Sequence, residues 1–187
     1  GVDPRTAQEL EANIEIVRPD QGEGYTGYRP AQIWVAELPD LAALAKAKSP
    51  PDHVATSIRR ISPDDAWYGD PQWSPDGKTI VVHANLTDDR ESVRFSINKN
   101  YDLWSLDVAG ASPPRQLTSG PGPEVSPRWS PDGQEIVFER NARLDLNRKT
   151  IVSAEIWIMG ADGENPHKLA DGFDPAWSPE GKRIAYA

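Results

Sequence analysis

The sequence predicts an all-β fold made of repeated four-stranded antiparallel sheets, because several short segments recur in the same order. The pentapeptide "WSPDG" occurs at Trp73–Gly77 and Trp129–Gly133, and "WSPEG" occurs at Trp177–Gly181. The three tryptophans are 56 and 48 residues apart. A run with β-branched residues follows each copy, as "KTIVVH", "QEIVFE" and "KRIAYA". Self-similarity at such a period indicates an array of equivalent structural units.

The pentapeptide predicts a hairpin turn between the first two strands of each unit. In Ser130–Gly133, proline presets φ for the second position of a type I turn, and aspartate accepts the third. Glycine takes the left-handed conformation that follows, which is typical of a three-residue hairpin connection with a bulge. Glu180 replaces the aspartate in the last copy, where Pro179 and Gly181 keep the turn.

Two further segments supply the third and fourth strands of each unit. The third strands are "QIWVAEL", "DLWSLDV" and "EIWIMG", and the fourth are "RRIS", "RQLT" and "HKLA". The second strands are apolar on both faces, with Ile136 and Phe138 on one side and Val137 on the other. Such strands must be covered on both sides. Without long helices the covers must be neighbouring sheets, which predicts a β-propeller.

Six of the seven tryptophans occupy just two repeat positions. One position holds Trp73, Trp129 and Trp177, and the other holds Trp34, Trp104 and Trp157. A ligand site would not need the same residue in every unit, so we interpret these six as structural residues that pack one blade against the next. Trp67 lies off the repeat, in the predicted connection "PDDAWYGDP".

The repeats divide the chain into a single partial propeller of about three blades. Blade 1 is expected at about 12–62, blade 2 at 70–118, blade 3 at 125–170 and the start of blade 4 at 174–187. Thirteen strands are predicted, fewer than a closed ring of four blades requires. We therefore expect either a piece of a larger propeller or a subunit that completes a ring with a partner, and its unpaired strand edges favour self-association. A short helix is expected within 39–56.

Composition and motifs exclude several function classes. The formal net charge of −9 argues against a nucleic-acid surface, and without cysteine there is no thiolate or disulfide. No apolar stretch approaches a membrane span. "GEGYTG" spells a dinucleotide motif but precedes a strand rather than a helix, and the three histidines lack metal-ligand spacing. With no G-x-S-x-G elbow either, we expect no cofactor, no metal and no catalytic residue.

Three long insertions between second and third strands carry the candidate ligand-binding residues. They span 19–31, 84–101 and 140–154, and all three are expected to emerge on one face of the propeller. Loops on a rigid scaffold are frequent binding sites. Their cationic residues, on an acidic chain, point to an acidic or carboxylate-bearing ligand. The candidates are Tyr25, Tyr28, Arg29, Arg90, Arg94, Arg143 and Arg148.

On these repeats the chain resembles the TolB-type propeller family, a relative of the WD-type blade. The resemblance rests on three copies of W-S-P-[DE]-G in register with I-W and a closing hydrophobic-Ser/Thr pair, from about residue 12 to the end. The resemblance implies a ring of six or seven blades, of which this chain is a part. It also implies a non-catalytic scaffold for protein or peptide interaction, in a bacterial cell-envelope complex and a periplasmic location. Similar propellers occur in prolyl-oligopeptidase-type serine peptidases, which implies the alternative of a substrate-gating propeller whose catalytic domain lies outside this chain.

Overall fold

The described part of the chain consists of short β-strands joined by turns. The computed structural model describes residues 31–38, 57–64, 66–86, 100–120, 122–145 and 150–187. The strands in these ranges are β1 Trp34–Glu37, β2 Ser57–Arg60, β3 Trp67–Trp73, β4 Thr79–Asn85, β5 Asp102–Asp107, β6 Arg115–Gln116, β7 Glu124–Trp129, β8 Glu135–Asp145, β9 Thr150–Gly160, β10 His167–Asp171, β11 Ala176–Trp177 and β12 Ile184–Ala185.

The strands form four antiparallel sheets that follow one another along the chain. Two sheets have four strands, in the orders β3-β4-β5-β6 and β7-β8-β9-β10, and two have two strands, β1-β2 and β11-β12. Each four-stranded sheet is a meander in which consecutive strands are neighbours. The predicted fold class, a partial β-propeller, is confirmed. The expected strand at 12–18 and the expected helix in 39–56 lie outside the described residues.

The pentapeptide turns adopt the predicted geometry. Gly77, Gly133 and Gly181 have φ of 70°, 73° and 69°, the left-handed region that glycine adopts at little cost. In the second copy, Gly133 N donates to Ser130 O at 2.9 Å, and Ser130 Oγ donates to Asp132 Oδ1 at 2.6 Å. The turn between the first two strands of a blade is therefore stabilised by hydrogen bonds within the pentapeptide itself.

A residue with left-handed backbone precedes each pentapeptide, and a bulge accompanies it in the first two copies; the sequence did not predict either. Asp70, Ser126 and Asp174 have φ of 48°, 52° and 55°, and each stands directly before a proline. In β3 and β7 the register shifts at this point. The bulge turns Asp70 toward the next blade, where its carboxylate Oδ2 accepts a hydrogen bond from Arg128 Nη1 at 2.8 Å. The sequence signal is the recurrent proline two residues before each tryptophan.

Neighbouring sheets bury apolar side chains between them. One cluster joins Ile33 and Val35 of the first sheet to Ile80 and Val82 of the second. The other cluster lies between the second and third sheets; its buried members are Val81, Leu103, Leu117, Ile136, Phe138 and Met159. Alternate residues of β4 thus enter different cores, because successive side chains of a strand point to opposite faces.

The repeated tryptophans differ in whether the indole contacts a neighbouring sheet or is exposed. Trp129 Nε1 donates to Gln72 O at 3.3 Å, and Trp177 Nε1 donates to Arg128 O at 3.2 Å, so each indole reaches the first strand of the preceding sheet. Trp104 and Trp157 pack against the two apolar clusters. Trp34 and Trp73 are 59% and 50% exposed, and the expectation of inter-blade packing does not describe them. In the described part of the chain no sheet precedes Trp34, and the sheet before Trp73 consists of β1 and β2 alone, without a first strand of the kind that Trp129 and Trp177 contact.

Two local expectations need correction. Trp67 does not lie in a blade-to-blade connection: it is the first residue of β3 and pairs with Asn85 of β4. The insertion at 140–154 is not simply a loop, because β8 and β9 continue through most of it and pair as far as Asp145 with Thr150. The alternation of apolar and polar residues in "ARLDL", 142–146, is the sequence signal that indicates this extension.

Candidate functional site

The candidate site is the end of the sheets where the β4–β5 and β8–β9 connections lie, which we call the insertion face. Most of the residues predicted to bind a ligand there lie outside the described residues: Tyr25, Tyr28, Arg29, Arg90, Arg94 and Arg148. Arg143 lies in β8, where its backbone is opposite Ser153 of β9. The structure therefore does not test whether these side chains come together.

The β8–β9 hairpin is the most prominent described part of the insertion face. β4 ends at Asn85, whereas β8 continues for four residues past Asn141, the residue at the equivalent register. At about 3.3 Å per residue, this extension projects roughly 13 Å beyond the sheet. The hairpin is a paired projection in a place where a binding partner could pair with it or pack on it.

A buried ion pair lies at the base of this hairpin. Glu124, at the start of β7, is fully buried, and its Oε1 accepts hydrogen bonds from Arg140 Nε at 2.7 Å and Nη2 at 2.5 Å. The Arg140 guanidinium also lies 3.9 Å from the centre of the Trp157 ring, a cation–π contact. Glu124 Oε2 has no hydrogen-bond partner. This cluster fixes β7, β8 and β9 to one another directly below the insertion.

Asp102 begins β5 at the same level and has an unusual protonation equilibrium. Burial, together with the negative charge of Glu124, raises the pKa of Asp102 to about 6, while a hydrogen bond from Gln116 opposes the rise. Gln116 Nε2 donates to Oδ2 at 3.1 Å, and Oδ1 is buried without a partner. The carboxyl group of Asp102 therefore ionises at mildly acidic pH, around its pKa of about 6.

His83 lies near the end of β4, packed against Tyr101. The two ring centres are 5.3 Å apart, and the planes are tilted by 58°. Burial lowers the pKa of His83, which the charge of Asp70 partly opposes, so the imidazole is mainly neutral at pH 7. Gly69 lies opposite His83 in β3, and a Cβ there would stand 2.3 Å from His83 Nε2. The glycine thus makes the room that the imidazole occupies.

These groups do not form a recognisable catalytic or metal centre. Among the residues that the structure describes, no three His, Cys, Asp or Glu side chains are grouped so that they could hold a metal ion. The same residues contain no helix that is long and apolar enough to cross a membrane. The described part of the insertion face consists of a projecting hairpin and, at its base, several buried and half-buried ionisable side chains.

The opposite end of the sheets, with the pentapeptide turns, carries a shallow groove between the second and third sheets. Its volume is about 660 Å³. The lining residues are Thr79, Ser105, Asp107, Ser112, Pro113, Pro114, Arg115, Gln116, Trp129 and Ala161. Asp107 accepts hydrogen bonds from three backbone amides of the adjoining turn, and Arg115 donates to Asp162 O at 2.7 Å. The charged side chains of this groove are thus already engaged.

The fold and the repeats together define a partial β-propeller. Among solved structures, a putative TolB from Agrobacterium tumefaciens is similar, with a TM-score of 0.50 and 21% identity over 70% of this chain and 47% of that one. At this level of identity the likeness shows the fold alone.

Two curated proteins are also similar in sequence. The uncharacterized protein Atu1656 of Agrobacterium fabrum is 27% identical over 124 residues, which are 64% of this chain and 34% of that protein. The uncharacterized peptidase YuxL of Bacillus subtilis is 28% identical over 117 residues, 62% of this chain and 16% of that protein. The chain therefore spans about a third and a sixth of these relatives. No protein-family model matches it.

Proposed function

We propose that this chain is a non-catalytic propeller scaffold that binds a protein or peptide on its insertion face. The observation that carries the proposal is the β8–β9 hairpin, which projects beyond the sheet on the face where the other long insertions are expected. A paired hairpin loses less conformational freedom on binding than a flexible loop would. An extracytoplasmic location, in a cell-envelope complex, belongs to this proposal on the resemblance to TolB alone.

The proposed ligand is an acidic or C-terminal peptide. The candidate residues on the three insertions include Arg29, Arg90, Arg94, Arg143 and Arg148. Guanidinium groups bind carboxylates through paired hydrogen bonds. The guanidinium of Arg140 already forms an ion pair with Glu124, so we assign Arg140 to the framework rather than to the ligand site.

The experiment is to pan a random dodecapeptide library on the immobilised chain and then to measure the affinity of the selected peptides. The test variant carries Arg90→Glu, Arg94→Glu and Arg143→Glu. The control variant makes the same change of charge at the turn end, with Lys78→Glu, Lys182→Glu and Arg183→Glu, where all three side chains are exposed. We expect acidic peptides whose affinity falls at least tenfold in the test variant and stays within twofold in the control. Equal losses in both variants, or none in the test variant, would contradict the proposal.

A second candidate function is the substrate-gating propeller of a serine peptidase. The similarity to a Bacillus subtilis protein named as a peptidase favours it. In that case the catalytic triad belongs to a domain outside this chain. Reading the gene beyond Ala187 distinguishes the two: a G-x-S-x-G elbow after a few further blades supports the peptidase, and its absence supports the scaffold.

The proposal also includes self-association through the first blade. Trp34 and Ile58 of the first blade and Trp73 of the second are at least half exposed, whereas Trp129 and Trp177 contact a preceding sheet. A second copy of the chain offers a sheet of the same kind, and we propose that such a copy covers this side.

A further inference from the structure

The same backbone hydrogen bond joins each described sheet to the one before it. The first interface lies between the β1–β2 and β3–β6 sheets, the second between β3–β6 and β7–β10, and the third between β7–β10 and β11–β12. In each, the amide five residues before the pentapeptide tryptophan donates to the carbonyl three residues before the third-strand tryptophan of the preceding blade. The three bonds are Tyr68 N to Ala31 O at 3.0 Å, Glu124 N to Tyr101 O at 2.7 Å and Gly172 N to Ala154 O at 3.0 Å. The three interfaces can therefore be compared position by position.

The interfaces differ in the residues at this bond, which are the donor and the residue that follows the acceptor. In chain order these pairs are Tyr68 with Gln32, Glu124 with Asp102, and Gly172 with Glu155. Of the three described interfaces, the second alone has a carboxyl group on both blades. Two neighbouring carboxyl groups hinder each other's ionisation, because like charges repel.

The charges at the second interface balance only while Asp102 is protonated. On the strands packed around Asp102, the ionisable side chains at this end are Glu124 of β7, Arg140 of β8 and His83 of β4. Arg140 forms an ion pair with Glu124, and His83 is mainly neutral at pH 7 because burial lowers its pKa. When Asp102 ionises, two carboxylates therefore share one guanidinium, and one negative charge is left uncompensated.

The second interface offers little to stabilise that extra charge. Asp102 Oδ1 and Glu124 Oε2 are both buried without a hydrogen-bond partner, and Gln116 donates only to Asp102 Oδ2. At the third interface, by contrast, Glu155 accepts hydrogen bonds from Lys168 Nζ and Trp157 Nε1, each at 2.8 Å. A carboxylate that is shielded from water without enough partners raises the free energy of the folded state.

We propose that the interface between the second and third blades is a pH-dependent joint, closed while Asp102 is protonated and opening more readily once Asp102 and Glu124 are both ionised. The bond that breaks is Glu124 N–H to Tyr101 O, at the base of the β8–β9 hairpin. Opening exposes Asp102 to water, which relieves the cost of its charge. The first and third interfaces keep their equivalent bonds, because neither places two carboxyl groups together. The joint does not depend on which ligand the insertion face binds.

The test is amide hydrogen exchange by NMR on the whole ¹⁵N-labelled chain at pH 5 and pH 7.5. Exchange is expressed as a protection factor, so that its intrinsic pH dependence cancels. Protection of the Glu124 amide should fall about tenfold at pH 7.5, as expected for a carboxyl group whose pKa changes from about 6 to 3.8 on opening. The Tyr68 and Gly172 amides are the internal controls and should stay within twofold. Unchanged protection at Glu124, or equal falls at all three amides, would overturn the inference.

Two substitutions identify the group that titrates. Asp102→Asn removes the charge and should make the protection of the Glu124 amide equal at pH 5 and pH 7.5. His83→Gln removes the imidazole, the other group nearby that can titrate in this range, and should leave the tenfold fall intact. A fall that persists in Asp102→Asn, or disappears in His83→Gln, counts against the proposal. If a variant fails to fold, the comparison of the three amides in the unsubstituted chain still decides.

Discussion

At the scale of single residues, Asp102 shows how strongly a local environment alters a common side chain. The second and third blades are built on the same repeat, yet the acid of the third blade has a lysine and an indole N–H as partners, while Asp102 has an amide. The same position therefore lowers the pKa of Glu155, chiefly through the hydrogen bond from Lys168, and raises that of Asp102. Sequence alone could not foresee this contrast, because it depends on which side chains the register brings opposite each acid.

We predict that Asp102→Asn makes the protein more stable at neutral pH but changes little near pH 4. The folded pKa of about 6 lies above the ordinary value of 3.8. The stabilisation from protonated Asp102 is therefore fully present below the unfolded pKa and is lost as pH rises through about 6. Asparagine stays neutral throughout. Urea unfolding midpoints of both proteins at pH 4 and pH 7.5 measure the difference.

Asp76→Asn is the control of opposite sign. Hydrogen bonds from the Ser74 hydroxyl and the Lys78 backbone amide lower the pKa of Asp76, so its contribution is present above the unfolded pKa and disappears as pH falls through the folded value. Asp76→Asn should thus lower the midpoint at pH 7.5. If both variants shift the midpoint in the same direction at pH 7.5, the protonation argument for Asp102 fails.

At the scale of elements, the turns were predictable and the bulges were not. Proline, an acidic residue and glycine in fixed order specify the pentapeptide turn whatever surrounds it, since each selects its own backbone angles. Asp70, Ser126 and Asp174 have left-handed backbone angles although none of them is glycine. Each precedes a proline, which disfavours helical backbone angles and favours extended ones. Only the strand register and the neighbouring blade reveal why the chain turns there. The length of the β8–β9 hairpin was not predicted, because the segment that carries its outer pairs was assigned to a loop.

We predict that Gly163→Ala is more destabilising than Gly77→Ala, although both glycines have positive φ. At Gly77 a Cβ would meet nothing within 4 Å, so only backbone strain applies, about 1–2 kcal/mol. At Gly163, in the β9–β10 turn, a Cβ would stand 2.8 Å from the carbonyl oxygen of Leu117 in the adjacent blade. We expect about 1–3 kcal/mol of additional loss from this clash. Urea unfolding of the two variants tests it, and equal losses would show that the two blades do not approach as closely as described.

At the scale of the whole molecule, the recurring segments were enough to predict the fold class and its incompleteness, because sheets that are apolar on both faces can only be covered by further sheets. The binding face remains a prediction, since most of its candidate residues lie outside the described part of the chain. The sequence could not indicate which ionisable side chains are buried below the insertion face. Glu124, Arg140 and His83 come from three different strands, and no motif connects them.

We predict that the chain self-associates as its concentration rises, through a contact that includes the exposed indoles of Trp34 in the first blade and Trp73 in the second. Trp34→Glu and Trp73→Glu together should abolish association, because they place charge where apolar surface would be buried. Leu169→Glu, at an exposed position of β10 away from the first blade, is the control and should leave association unchanged. Sedimentation velocity over a hundredfold range of concentration gives the mass. A strictly monomeric chain at the highest concentration would contradict the prediction.

The indole-to-carbonyl bonds from Trp129 and Trp177 have a consequence for how such molecules grow in evolution. Each of these blades carries a tryptophan that bonds to the blade before it. The acceptor is a backbone carbonyl, which every blade has whatever its side chains are. A duplicated stretch of gene would therefore encode a unit that joins its predecessor without any new complementary substitution. Lengthening the array would be easy, and divergence of its loops could follow afterwards.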